Sequence, residues 1–215
     1  MFWEQQLINS GGQTIRLYNQ GQDNRSRVSG NREGFCAGIS AWWIIKSRAQ
    51  QRFWPWFDGP GEGIESVIRM QAVENSLDTG WLVKAIETFS KDPSRGFQAL
   101  KGVMAGGGRV EEKGYFTCEC VINALTGVSL RGEPKRTPIP GYKLLGIYSS
   151  TGSRHSGHAM AAYVSQCGSG PVWFMDPNAG EFRFNDPHDF AGFFQALWAD
   201  KYRKYMSGYF VLPFT

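Results

Sequence analysis

From Phe35 onward, apolar side chains recur at Phe35, Ile39, Trp42 and Trp43, the i, i+4, i+7, i+8 spacing of one helical face. Ala37, Ala41, Ile44 and Ile45 fill much of the other face, and a helix apolar nearly all round belongs at the centre of a protein. Ahead of it a short strand is predicted near Gln13 to Tyr18, and the polar, glycine-rich residues 19–34 read as a loop. The aromatic run Arg52-Phe-Trp-Pro-Trp-Phe-Asp-Gly-Pro-Gly reads as a second loop. Helices then fit about Gly63 to Asn75 and Thr79 to Ser90, the latter with Thr79 as N-cap. After the glycine run Gly106 to Gly108, another helix fits Thr117 to Leu125, and Pro134, Pro138 and Pro140 mark an irregular connection.

The second half changes period. Tyr142 to Ser149, His158 to Ser165, Pro171 to Asp176, Glu181 to Phe184 and Tyr209 to Phe214 are short runs separated by turn signals, the pattern of an antiparallel sheet. One helix interrupts them, from Pro187 to Tyr205, with Phe190, Phe193, Phe194, Leu197 and Trp198 as its buried stripe. Helices first and strands later predict an α+β fold. At 215 residues and 41% hydrophobic, the chain is expected to form one domain over residues 1–215. Its parts are a strand and glycine-rich loop over 1–34, a helical part over 35–130 and a sheet part over 140–215.

Composition then narrows the function. The net charge is only +4, and the densest basic stretch runs from Arg131 to Arg136, too little to line a nucleic-acid groove. Gly102-Val-Met-Ala-Gly-Gly-Gly-Arg lacks the Lys-Ser/Thr of a phosphate-binding loop. Four cysteines with no Cys-x-x-Cys pair make neither a disulfide framework nor a zinc site. The N-terminus has no basic region ahead of an apolar one, and no run approaches the roughly 18 apolar residues of a membrane span. The reading is a soluble protein without an ordinary secretion signal.

Among three histidines, His158 stands in Ser156-Gly-His-Ala-Met-Ala, at a strand start among small neighbours, where an imidazole has room to act as a base. Eighteen residues on, Asp176 ends a strand before a Pro-Asn turn, so adjacent antiparallel strands can set its carboxylate beside His158. Cys36 falls in the first turn of the central helix, where free N–H groups and the positive end of the dipole favour a thiolate. Asn31, in the loop before it, can aim an amide at a developing oxyanion, alongside the backbone N–H of Cys36.

Three blocks carry these residues: Gly34-Phe-Cys-Ala-Gly-Ile-Ser-Ala-Trp-Trp-Ile, Gly157-His-Ala-Met-Ala and Asp176-Pro-Asn-Ala-Gly-Glu-Phe-Arg-Phe. Together they resemble the catalytic blocks of the YopT/AvrPphB-type cysteine proteases. The resemblance implies a papain-like fold in which a Cys-x-x-x-Ser-x-x-Trp helix carries the nucleophile, a His-Ala strand the base and an Asp-Pro-Asn-x-Gly segment the orienting acid. Those positions are Cys36, His158 and Asp176 here, with Ser40 and Trp43 matching the flanks and Asn31, five residues before Cys36, as oxyanion donor. The resemblance further implies a bacterial effector delivered by specialised secretion into a host cell, acting on a host protein without a cofactor.

The same triad serves a Gln/Asn deamidase or a transglutaminase, and a papain-like fold without activity would be a binding module. Other candidates have plainer readings. His155 and His158 lie three apart on a strand and face opposite sides, so no metal site is expected. His188 belongs exposed in a helix's first turn, and Cys118, Cys120 and Cys167 read as packing residues. Trp54, Trp56 and Phe57 could wall a substrate cleft but more simply close a core. Lys201-Tyr-Arg-Lys complements the dipole at the end of its helix.

Overall fold

The computed structural model describes residues 2–25, 34–76, 79–91, 110–113, 117–130, 140–151, 154–166, 169–204 and 207–214. Seven strands form one antiparallel sheet: β1 (Gln13–Leu17), β2 (Val110–Lys113), β3 (Gly141–Thr151), β4 (Arg154–Gln166), β5 (Ser169–Asp176), β6 (Gly180–Phe184) and β7 (Gly208–Phe214). Their order across the sheet is β1-β6-β5-β4-β3-β7-β2.

Alternate residues of the central strands feed two cores, one on each face. Leu144, Ala161, Met175, Leu212 and Phe214 point to one side. There they meet α2 (Cys36–Arg48), α3 (Phe53–Asp58), α4 (Gly63–Ser76) and α5 (Thr79–Lys91). Leu145, Ile147, Met160, Ala162, Val172, Phe174, Phe182 and Phe184 point to the other. That side is covered by α1 (Phe2–Asn9), α6 (Cys118–Thr126) and α7 (Pro187–Leu197). A sheet buried on both faces has no need of polar alternation, which is why Ala159 to Ala162 reads as a continuous apolar run.

The predicted elements are present with small shifts in their ends, and the α+β class with an antiparallel sheet holds. Four features differ. The aromatic run expected as a loop contains α3; Pro55 is its third residue, where a missing N–H costs no intrahelical bond. Trp54 and Phe57 are buried around α2, the core-closing role, and Trp54 Nε1 donates to Glu181 Oε2 at 2.5 Å. Two elements were not foreseen: α1, which buries only Trp3 and Leu7, and the four-residue β2. The last helix, expected to run to Tyr205, stops as an α-helix at Leu197 and continues as a π turn over Trp198–Tyr202. The glycine run Gly106 to Gly108, Arg131 to Arg136, Pro134, Pro138 and Cys167 lie outside the described residues.

What places α2 so centrally is close backbone approach. Gly38 faces the Val67 carbonyl of α4 so tightly that a Cβ there would collide with it. Gly38→Ala is therefore expected to force α2 and α4 apart and lower stability by about 1–3 kcal/mol, read from urea unfolding midpoints, although alanine is the better helix former.

Candidate active site

Cys36 is the first residue of α2, and its surroundings follow from what a helix start leaves unbonded. No side chain at the N-cap position, Phe35, bonds the first turn. Instead Gln71 reaches across from α4, its Oε1 accepting from the N–H groups of Ala37 (3.0 Å) and Gly38 (3.1 Å). Gln20 Oε1 accepts from Phe35 N–H at 2.7 Å. Among the described residues nothing accepts from the N–H of Cys36, which stays directed outward at the positive end of the helix.

The Ser40 and Trp43 flanks of the helix have direct structural work. Ser40 Oγ donates to the Ala159 carbonyl at 3.2 Å, fastening α2 to β4 next to His158. One turn on, Trp43 Nε1 donates to Glu181 Oε1 at 3.0 Å, fastening the same helix to β6. Burial raises the Glu181 pKa while the two indole donors oppose it. Ala37 and Ala159 pack with Cys36, so the thiol is buried against the base strand.

His158 and Asp176 come together through register. β4 and β5 pair Ala161 with Met175, which places His158 and Asp176 diagonally, on the same face; Asp176 ends β5, whereas His158, expected at a strand start, lies inside β4, because β4 begins at Arg154 by pairing with β3. The chain then turns: Ala179 N–H donates to the Asp176 carbonyl at 3.0 Å and Asn178 N–H to Asp176 Oδ1 at 2.8 Å, an Asx turn. Gly180 closes it at φ +130°, and a Cβ there would strike the Arg16 carbonyl of β1, so glycine is required at this position. His158 Nε2 lies 2.8 Å from Asp176 Oδ1, and Cys36 is close enough to His158 to help raise the imidazole pKa. Three residues far apart in the chain thus come together in one buried cluster.

Three further residues complete the cluster without having been singled out from the sequence. Asn178 Nδ2 sits 3.4 Å from His158 Nδ1, and its Oδ1 accepts from Gln20 Nε2 at 2.9 Å. Asn178 belongs to the Asp-Pro-Asn block, so its position was visible although its bonds were not. Gln20 carried no signal: it lies in a polar stretch, yet it is buried, with its backbone N–H donating to the Pro177 carbonyl. Tyr202, from the π turn, places its hydroxyl 2.6 Å from Asp176 Oδ2 and stacks its ring on His158. It falls four residues after Trp198, on the apolar stripe of α7, which signals burial but not a partner.

Burial alone would lower the His158 pKa; the charge and hydrogen bond of Asp176, with those of Cys36, outweigh it and push it up to about 9. The imidazole is therefore held as a cation beside the thiol near neutral pH. Cys118 contrasts with this arrangement, since burial and Glu119 push its thiol pKa upward and leave it inert, as a packing residue should be. His188 is exposed and bonds Asp186, the N-cap of α7. A cavity of about 340 Å³ lies elsewhere, over the C-terminal half of α2, lined by Trp43, Ser47, Tyr142, Tyr163, Trp173 and Glu181. Asn31, the expected oxyanion donor, lies outside the described residues. Among the described residues no three His, Cys, Asp or Glu side chains group as metal ligands, and no helix is long and apolar enough to cross a membrane.

Known proteins resemble this chain in sequence and in fold. The family model Peptidase C58, described as Yersinia/Haemophilus virulence surface antigen, matches residues 5–209. The cysteine protease yopT1 of Yersinia enterocolitica is 42% identical over 69 residues, which are 32% of this chain and 20% of that protein. The matched stretch is thus about a fifth of that relative's length. The Pseudomonas avirulence protein AvrPphB superposes with a TM-score of 0.50 at 19% identity, over 85% of this chain and 92% of that one, a likeness of fold. The YopT domain of the Pasteurella multocida PfhB2 toxin aligns over 90% and 89% of the two chains at 17% identity, with a TM-score of 0.29.

The raised His158 pKa ties stability to pH. Folding lifts it from 6.5 to about 9, so its contribution is complete below about pH 6.5 and is lost as pH climbs through about 9. Urea midpoints are expected to fall over that range, and Asp176→Asn to flatten the fall by removing the charge that raises the pKa.

Proposed function

The chain belongs to the Peptidase C58 family, and we propose that it is a papain-like cysteine peptidase whose catalytic triad is Cys36, His158 and Asp176 and whose substrate is a protein of a host cell. The observation that carries this reading is the convergence at the start of α2 of Cys36, buried against β4, with His158, whose Nε2 lies 2.8 Å from Asp176 Oδ1. Cys36, as thiolate, attacks the scissile carbonyl carbon, and the carbonyl oxygen takes up the negative charge. The outward N–H of Cys36 supports a role in holding that oxyanion, with Asn31 as the second donor.

Collapse of the tetrahedral species breaks the C–N bond as His158 gives its proton to the leaving amine, leaving a thioester on Cys36. His158, now neutral, takes a proton from water, whose oxygen attacks the thioester; the C–S bond breaks, the new carboxyl terminus leaves, and the Cys36 thiolate with protonated His158 is restored. Asp176 fixes one tautomer of the ring and stabilises the imidazolium in both halves of the cycle. No cofactor enters these steps. We read the described elements as parts of one peptidase domain over residues 1–215. The family's description as virulence antigens supports a bacterial effector, delivered into the host cell by specialised secretion.

Cys36→Ala is expected to abolish cleavage, a fall of at least about 10⁴-fold, and Asp176→Ala to lower kcat by about 10²- to 10⁴-fold with the fold retained. The measurement is cleavage of host-cell protein by the purified enzyme, with products identified by mass. Turnover that survives in Cys36→Ala overturns the triad. An intact backbone carrying the mass change of deamidation or amine transfer would assign the same residues to side-chain amide chemistry instead. In parallel, Cys36 is expected to alkylate faster than Cys118 and Cys120 near neutral pH and to lose that advantage in His158→Ala.

A further inference from the structure

Asp176 is fully buried, and its two oxygens are served unequally. Oδ1 accepts from His158 Nε2, brought there by the β4–β5 register, and from the Asn178 N–H of the β5–β6 turn. Oδ2 faces away from that turn and accepts from Tyr202, whose hydroxyl is 2.6 Å away, the short distance of a charge-assisted bond. The Tyr202 oxygen is also 3.1 Å from His158 Nε2, and its ring lies nearly parallel to the imidazole, 14° between planes and 4.9 Å between centroids. One side chain thus touches both the base and the acid.

Its delivery is unusual as well. A continued α-helix from Pro187 would carry residue 202 at a different phase and height; the π turn at Trp198–Tyr202 widens the last turn and brings this residue against His158 of β4 and Asp176 at the end of β5. Single π turns of this kind are rare in helices and concentrate at functional sites.

We propose that Tyr202 is a positioning residue of the proteolytic reaction: its hydroxyl clamps Asp176 Oδ2 and its ring holds the His158 imidazole in the plane from which it serves Cys36. This rests on the triad proposed above. The hydroxyl also divides the carboxylate's charge among three donors rather than two. Without it, Asp176 holds the imidazolium more tightly, and transfer of the His158 proton to the leaving amine becomes harder. The burial of the phenol and the charge of Asp176 raise the Tyr202 pKa well above its ordinary value, so the group remains a donor throughout the working range.

Tyr202→Phe keeps the ring and removes only the oxygen. In that variant kcat is expected to fall roughly ten- to a hundredfold with KM unchanged, the loss expected for a hydrogen bond to a charged group. In a Cys36→Ala background, the His158 titration midpoint followed by NMR is expected to rise relative to Cys36→Ala alone. Replacing Tyr202 with 3-fluorotyrosine, which preserves the shape and strengthens the donor, should move the midpoint down. A role in packing alone predicts that both midpoints stay in place and that Tyr202→Phe turns over normally, and that result overturns the proposal. The NMR titration does not depend on Cys36 being the nucleophile. Inactive wild-type enzyme with a shifted midpoint would therefore count against the triad, not against the clamp.

Discussion

A carboxylate with no access to water must find all its hydrogen-bond donors in the protein, and at Asp176 that requirement organises three parts of the chain at once. The imidazole of His158 comes from β4, the Asn178 N–H from the turn that follows β5, and the Tyr202 hydroxyl from the π turn after α7. Each donor needs its own element held to within a few tenths of an ångström. The sheet provides two of them through register, since a slip of one residue between β4 and β5 would send His158 and Asp176 to opposite faces. The third needs a helix whose last turn is widened.

The nucleophile side is solved by different means. A helix N-terminus supplies donors and positive potential without charged side chains, but only if its remaining N–H groups are satisfied. Gln71 and Gln20 satisfy three of them and leave that of Cys36. Gln20 does this while also holding Asn178, so the loop before α2 and the turn after β5 share one buried amide. Ser40 and Trp43 then bolt α2 to β4 and β6. The motif spacing Cys-x-x-x-Ser-x-x-Trp sets residues one turn apart along the helix so that each meets a different strand. The fold therefore couples the thiol and the carboxylate rigidly, although they sit on opposite sides of the sheet plane.

Most elements were legible because their apolar periods are strong and their ends carry Pro, Gly or a capping Asp. The failures share a cause. α1 buries only two side chains, so its period is faint, and β2 is a short edge strand that exists by pairing with β7. The Phe53–Asp58 helix was hidden by Pro55, a residue that breaks helices everywhere except in the first turn. The π turn left no periodic trace at all, since a single widened turn does not change the stripe before it.

Local chemistry determined the candidate nucleophile, base and acid: the chain holds only four cysteines and three histidines, Cys36 starts a helix, and Asp176 ends a strand before a turn. The sequence also determined the α+β layout, because hydrophobic period is a short-range property readable in any window of a dozen residues. Tertiary structure alone decided that Gln20, Gln71, Asn178 and Tyr202 complete the site. A glutamine or tyrosine acquires such a role only from the burial and direction of its polar atoms, and those depend on contacts between segments far apart in the chain.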